Sequence, residues 1–310
     1  MTQHPDRILP GVALMLGFCV IAPLIDVSSK LAAQGVPVGT ITLGRFVVQA
    51  LLMLPVTLVM GFPLALSGRA LWLSLARAFV SILSTYAFIA ALRVMPLADA
   101  LSIAFVEPFI ILLIARLVLK EPVGARRLGA CVVGFLGCLL VIQPSFVHFG
   151  PVALFPLGTA LCFALYILIT RALSRLVHPV PMQFHTAIIA ALMCLPMLLA
   201  GQALGETSLA LVWPQGLFLL WCFCVGLAAT VSHMSMTFAL RFAPSSVLAP
   251  LHYLEIVTAA LLGYLVFGDF PNGLTWTGIA IIVSSGLYII HRERITARRA
   301  TASAGLTEAP

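Results

Sequence analysis

Charge is scarce in this 310-residue sequence. Asp, Glu, Lys and Arg together make up 9% of it, where a soluble domain carries roughly 25%. Such a chain cannot clothe a water-facing surface, which excludes a soluble enzyme, a nucleic-acid-binding module and a disordered protein. No CxxC pair and no Cys/His/acid spacing of a metal site occurs, so neither metal nor cofactor is expected. The seven cysteines all lie inside apolar stretches, where a thiol packs as a small hydrophobe. The phosphate-binding GKS/T loop is missing too, which argues against a nucleotide-driven pump. No small-residue cleavage site follows the first apolar run, and that run is too long for a signal-peptide core.

Apolar residues fill the space instead, at 62% of the chain. A spanning helix needs about 20 of them. Apolar runs between turn and charge signals predict ten spans: 11–32, 38–60, 70–92, 98–119, 127–143, 151–173, 181–200, 214–238, 246–267 and 273–291. The expected fold is all-α and integral to the membrane. Residues 1–10 form a short cytoplasmic segment, and 292–310 a basic, disordered cytoplasmic tail.

Cations sort by side. With the N-terminus inside, 13 of the 17 Lys and Arg fall on the cytoplasmic side, including Arg126, Arg127, Arg171, Arg175 and the cluster Arg292 to Arg299. Only Lys30 and Arg93 fall outside. The positive-inside rule therefore places both termini in the cytoplasm and requires an even number of spans.

The sequence also repeats itself. Ala91-Leu92-Arg93 recurs as Ala239-Leu240-Arg241, an offset of 148, with Pro96 on Pro244, Glu107 on Glu255 and Glu121 on Asp269. One residue later the register continues, with Gly129 on Gly278 and Gly137 on Gly286. The earlier parts match at an offset of 141, Lys30 on Arg171 and Leu54-Pro55 on Leu195-Pro196. Five spans per half is an odd number, so the halves (11–143 and 151–291) enter the membrane in opposite senses. That is an inverted repeat.

Two such halves resemble the drug/metabolite transporter superfamily and, within it, the EamA family. In that family the fourth and ninth helices end in an aliphatic run closing on Leu-Gly-Glu, ahead of a helix rich in small residues. Here the endings are Val118-Leu119-Lys120-Glu121 and Val266-Phe267-Gly268-Asp269, followed by helices carrying Gly129 and Gly137, then Gly278 and Gly286. The resemblance implies that the fifth and tenth spans hold the halves together and offer a homodimer contact. Family members usually carry an uncharged residue where Glu107 and Glu255 stand, so these acids are expected to belong to the chemistry of this chain's own subgroup.

An ionisable group at mid-membrane costs about 2.5–3.5 kcal/mol on insertion scales, so each needs a reason. Glu107 precedes Pro108, which opens the helix ladder; Glu255 is its repeat mate, with His252 one turn before it. This pair is expected to face a central cavity and to bind a cationic part of a substrate or carry a proton. Asp26 and Arg45 lie at matching depth, about 9 and 10 Å below the outer ends of their spans at 1.5 Å per residue. They form either a structural salt bridge or an outer substrate clamp. Arg77 either snorkels to the inner interface or meets an anionic substrate group. His233 and His185 are weaker candidates.

The expected function is a secondary carrier that moves a small polar or zwitterionic metabolite across a bacterial inner membrane by alternating access, with proton coupling through the buried acids and histidines. Its partners are the lipid bilayer and a small solute, not nucleic acid. The family resemblance implies amino-acid exporters and uptake carriers for riboflavin or S-adenosylmethionine as alternatives for its substrate class. A channel or a non-transporting subunit is the alternative of another kind. No catalytic dyad or nucleophile is present, so no enzyme is expected.

Overall fold

The computed structural model describes residues 8–66, 68–94, 97–118, 120–121, 123–142, 150–268 and 273–307, and every regular element among them is helical. In chain order these are α1 Ile8–Ile21, α2 Pro23–Ala32, α3 Val38–Val59, α4 Gly68–Leu92, α5 Leu97–Ala104, α6 Glu107–Leu117 and α7 Ala125–Ile142. The second half holds α8 Leu154–Leu173, α9 Pro179–Ala203, α10 Leu217–Phe242, α11 Ser245–Leu248, α12 Glu255–Phe267 and α13 Gly273–Thr307. Asp269 and Pro96 lie outside the described residues.

Three of the expected spans are interrupted, and each interruption sits at a proline. Pro23 opens α2 directly after a break at Ala22. Pro108 follows the turn between α5 and α6. Pro250 lies in a 3-10 segment, Ala249–Leu254, between α11 and α12. A prolyl nitrogen cannot donate to the helix ladder, so the chain leaves α geometry one turn earlier. Glu107 and Glu255 are thereby each the first residue of a half-helix.

Seven described segments are long and apolar enough to cross a membrane: Ile8–Ala32, Val38–Val59, Gly68–Leu92, Pro151–Leu173, Pro179–Ala203, Leu217–Phe242 and Ser245–Val266. The expected fourth span instead consists of α5, 8 residues, and α6, 11 residues. The fifth is the 18-residue α7, which opens on Arg126-Arg127. The tenth merges with the basic tail into the 35-residue α13. Residues 292–307, expected to be disordered, are thus helical: they extend a helix already nucleated and are rich in alanine, so each added residue meets little cost.

The repeat governs the packing. Helices α3 and α9 start 141 positions apart, at Val38 and Pro179, and both carry an internal proline, Pro55 and Pro196. Helices α5 and α11 start 148 positions apart, as do α6 and α12. The most extensive contacts join α3 to α9, α7 to α13, α4 to α8 and α1 to α10. Exchanging the two halves maps the first two pairs onto themselves and the last two onto each other.

Helices α7 and α13 cross closely, as the small-residue pattern requires. A Cβ on Gly137 would come within 2.7 Å of Ile282 and 3.1 Å of the Gly278 carbonyl, and one on Gly286 within 2.9 Å of Leu254. Gly129 does not share this role, since nothing approaches its Cβ position within 4 Å.

The two motif ends differ in one telling residue. Gly268 caps α12 in the left-handed region at φ 76°. Its repeat mate is Lys120, which adopts φ 53° and is the one non-glycine with positive φ among the described residues. There the Glu121 N–H donates to the Ala115 carbonyl at 3.0 Å and closes the end of α6. A side chain in this region costs about 1 kcal/mol relative to glycine. Lys120→Gly should therefore raise stability by about that amount, read as a higher thermal midpoint in detergent; a lower midpoint would show that the lysine side chain matters more than its backbone strain.

Candidate functional site

A cavity of about 120 Å³ lies between the halves. Its carboxylates are Asp26, Glu107 and Glu255, and its bases are Arg45, His233 and His252. Phe18, Phe88, Phe105 and Phe163 supply an aromatic wall, and Ser29, Ser84, Thr85 and Thr159 supply hydroxyls. Five repeat-mate pairs contribute both members: Phe18 with Thr159, Ala22 with Phe163, Thr85 with His233, Ala104 with His252 and Glu107 with Glu255. The pseudo-two-fold axis therefore passes through the cavity.

Each break delivers a side chain to it. Glu107 and Glu255 open α6 and α12 and so stand at the positive dipole ends of these half-helices. Glu107, 8% exposed, approaches His252, with 2.5 Å between its Oε1 and the ring Nδ1. The His252 ring stacks on Phe18 at 5.3 Å between centroids. Glu255 lies within electrostatic reach of both Asp26 and Glu107. Among the described residues neither Asp26 nor Glu255 has a hydrogen-bond partner, so two carboxylates face the cavity uncommitted. Of the two readings of Asp26 and Arg45, the salt bridge is not formed, and both residues line the cavity.

Arg45 is engaged elsewhere. Its Nη1 donates to Thr85 Oγ1 in a very short contact, and its Nη2 lies 3.1 Å from His233 Nε2. A guanidinium can only donate, so Nε2 accepts and the ring proton resides on Nδ1. That nitrogen lies 2.9 Å from the Tyr166 hydroxyl and donates to it. His233 is thus a neutral link whose tautomer is set by the network.

The network ends at Arg77, whose side chain is wholly buried. It donates to Thr170 Oγ1 at 2.7 Å, to the Tyr166 hydroxyl at 2.5 Å, to Gln183 Oε1 at 3.3 Å and to Thr237 Oγ1 at 3.4 Å. A further short bond reaches Thr186 Oγ1. The guanidinium also lies 4.3 Å from the Tyr166 ring centroid. It does not snorkel, and no carboxylate among the described residues pairs with it. Only the lone arginine was legible beforehand. The signal for its cradle was present as polar residues spaced one turn apart, Tyr166/Thr170, Gln183/Thr186 and His233/Thr237, which a helix sets on one stripe.

One further sequence candidate lies elsewhere. His185 Nε2 bonds the Leu64 carbonyl at 2.9 Å and secures the chain after α3. Among the aromatics of these helices, Phe88 lines the cavity, whereas Tyr86, Tyr166, Trp221 and Tyr253 do not. Tyr253 fills the space beside Gly134 instead. All seven cysteines are free, and no metal-binding cluster occurs among the described residues.

At one end of the bundle the halves are tied together. Glu121 Oε2 accepts from the Ser246 N–H at 2.9 Å and the Ser245 hydroxyl at 3.0 Å, and so caps α11. Its Oε1 faces Arg171 Nε at 3.8 Å. Arg171 also donates to the Leu240 carbonyl at 2.7 Å. Nearby, His178 caps α9, its Nδ1 accepting from the Val180 N–H at 3.3 Å. Burial, and then the charge of Arg241, hold its pKa below the ordinary value. The neutral ring is therefore favoured by folding. This cap is intact above about pH 6.5 and is lost as pH falls through the lower folded-state value; hydrogen exchange at the Val180 amide should accelerate over that window.

Comparison with known proteins adds the following. The family model described as "EamA-like transporter family" matches residues 9–143 and again 150–291. A riboflavin transporter of Rhizobium johnstonii is 32% identical over 222 residues, covering 72% of this chain and 71% of its own length. An S-adenosylmethionine uptake transporter of Rickettsia prowazekii is 24% identical over 286 residues, 92% of this chain and 94% of its own. A pseudopaline exporter of Pseudomonas aeruginosa is 25% identical over 279 residues, 90% and 95%. One crystal structure superposes with a TM-score of 0.71 at 19% identity, covering 95% of this chain and 98% of that one; at that identity the likeness shows the fold alone.

Proposed function

Since this multi-pass membrane chain belongs to the EamA-like transporter family, we propose that it is a secondary carrier for a small zwitterionic metabolite bearing a flat ring, working by alternating access in a bacterial inner membrane. The observation that carries this reading is the cavity's pairing of chemistries. Asp26 and Glu255 offer uncommitted carboxylates, Arg45 offers a guanidinium, and Phe18 and Phe163 line the same space. An ammonium or sulfonium group suits the acids, a carboxylate suits the arginine, and a heterocycle suits the aromatic wall. S-adenosylmethionine, the solute named for the Rickettsia relative, has all three. Riboflavin, named for the Rhizobium relative, has the ring and hydrogen-bonding groups without the charges, and is the second reading.

Ten spans with both termini inside fit the charge map. In that orientation the cavity residues of α2, α4, α5 and α8 belong to the outer half of the bundle, and the Glu121–Arg171 tie closes the inner side. The conformation is then outward-facing. Asp26, Glu255 and the Glu107–His252 pair supply sites for a coupled proton, and the α7–α13 crossing holds the halves while leaving its outer face for a second copy. Counterflow decides the matter: proteoliposomes preloaded with unlabelled S-adenosylmethionine should accumulate the labelled compound saturably. Accumulation of riboflavin alone would support the second reading. No saturable counterflow of either compound would reject both.

A further inference from the structure

We infer that the polar cradle around Arg77, closed over the guanidinium in this conformation, is the inner binding station for an anionic group of the transported solute. The inference rests on the carrier reading and the orientation given above.

It starts from the repeat. The cradle is made by Tyr166, Thr170, Gln183, Thr186 and Thr237. At the offsets of 141 and 148 fixed by the helix starts, four of these five are the mates of residues that line the outer cavity. Tyr166 corresponds to Ile25, Thr170 to Ser29, Thr186 to Arg45 and Thr237 to Ile89. In an inverted-repeat carrier the inner cavity is formed by the mates of the outer one. The cradle is therefore the inner cavity in its collapsed form, and Arg77 is what fills it.

Electrostatics supplies the ligand class. A buried charge costs several kcal/mol unless paired, and five neutral groups with one aromatic face are partial compensation. Arg77 has no carboxylate partner among the described residues, while Asp26, Glu107 and Glu255 line the outer cavity and Glu121 makes the inner tie. The missing partner is an anion. An oxyanion such as a substrate carboxylate, passed inward from Arg45 along the His233–Tyr166 link, would satisfy the guanidinium once the inner side opens.

The test uses cysteine accessibility and needs no transported solute, so it can succeed or fail independently of the counterflow assay. The partly exposed Cys224 is replaced by serine. Thr237→Cys and its mate Ile89→Cys are then treated in sealed vesicles of both orientations with an anionic sulfonatoethyl and a cationic trimethylammonioethyl methanethiosulfonate. Thr237→Cys should react from the cytoplasmic face only, and Ile89→Cys from the outer face only. At Thr237→Cys the anionic reagent should be favoured, relative to a free thiol, by about tenfold, the scale of one nearby unit charge in a partly screened site. Arg77→Gln should abolish that preference, whereas Arg77→Lys should retain it. Absence of cytoplasmic labelling at Thr237→Cys would make the cradle a static core and overturn the proposal. So would labelling without anion preference in the presence of Arg77. If Arg77→Gln does not insert, the sidedness and the reagent ratio of Thr237→Cys with Arg77 intact still decide it.

Discussion

Glu255→Gln should reduce counterflow of S-adenosylmethionine by at least about a hundredfold while leaving membrane insertion and the thermal midpoint unchanged. Glutamine fills the same volume and can still hydrogen-bond, but it carries neither a negative charge nor a transferable proton. Removing one member of a desolvated charge pair costs about 2–5 kcal/mol, and each 1.4 kcal/mol is tenfold. The folded state should tolerate the change because, among the described residues, Glu255 has no hydrogen-bond partner to leave unsatisfied. Glu107→Gln is expected to be less neutral structurally, since Glu107 approaches His252 at 2.5 Å and its replacement leaves that ring exposed to a new partner. Two assays separate the roles. Counterflow needs no proton gradient, whereas net accumulation in a proton-coupled carrier does. Loss of both places Glu255 on the solute; loss of accumulation alone makes it the proton site. Undiminished activity in both assays would remove Glu255 from the mechanism.

Glu121→Ala should shift the conformational balance toward the inward-open state. The Glu121 carboxylate accepts from the Ser246 N–H and the Ser245 hydroxyl and faces Arg171, so one side chain from the first half holds two elements of the second. A hydrogen bond to a charged group contributes about 1.5–3 kcal/mol. Loss of about 2 kcal/mol moves a two-state equilibrium roughly thirtyfold. Arg171 would then lose its contact with Glu121, and the start of α11 would lose its cap. The measurement is labelling of Ser246→Cys or Thr237→Cys from the cytoplasmic face, which should accelerate by that order when Glu121→Ala is added. An unchanged rate would show that apolar packing, not this tie, closes the inner end. Glu121→Asp, a shorter carboxylate, should fall between the two.

Much of the architecture was readable before any coordinates, because in lipid the backbone must satisfy itself and only long apolar helices can do so. Composition set the environment, the cations predict an orientation, and the Glu107/Glu255 and Pro55/Pro196 correspondences mark the two halves. Pro108, directly after Glu107, even marked where a helix would break. These features are local in sequence, and their physics is one-dimensional: length, hydropathy and a missing N–H.

Partnership was a different matter. Matching depth on neighbouring spans suggested an Asp26–Arg45 pair, but depth says nothing of rotation about the helix axis, and Arg45 turns toward Thr85 and His233 on α4 and α10. Arg77 has the reach to snorkel, yet packing against α8, α9 and α10 encloses it completely. His185 sits at a reasonable depth and faces the chain after α3. Each of these outcomes depends on which helices meet, and that is set by contacts between residues more than 60 positions apart, such as Arg77 with Thr170 or Arg45 with His233. The sequence by itself determined a membrane bundle of two repeated halves with rare acids at mate positions. The tertiary structure alone decided which of those charges stand uncommitted in a cavity and which are spent on holding the bundle together, because a charge's role depends on its neighbours in space.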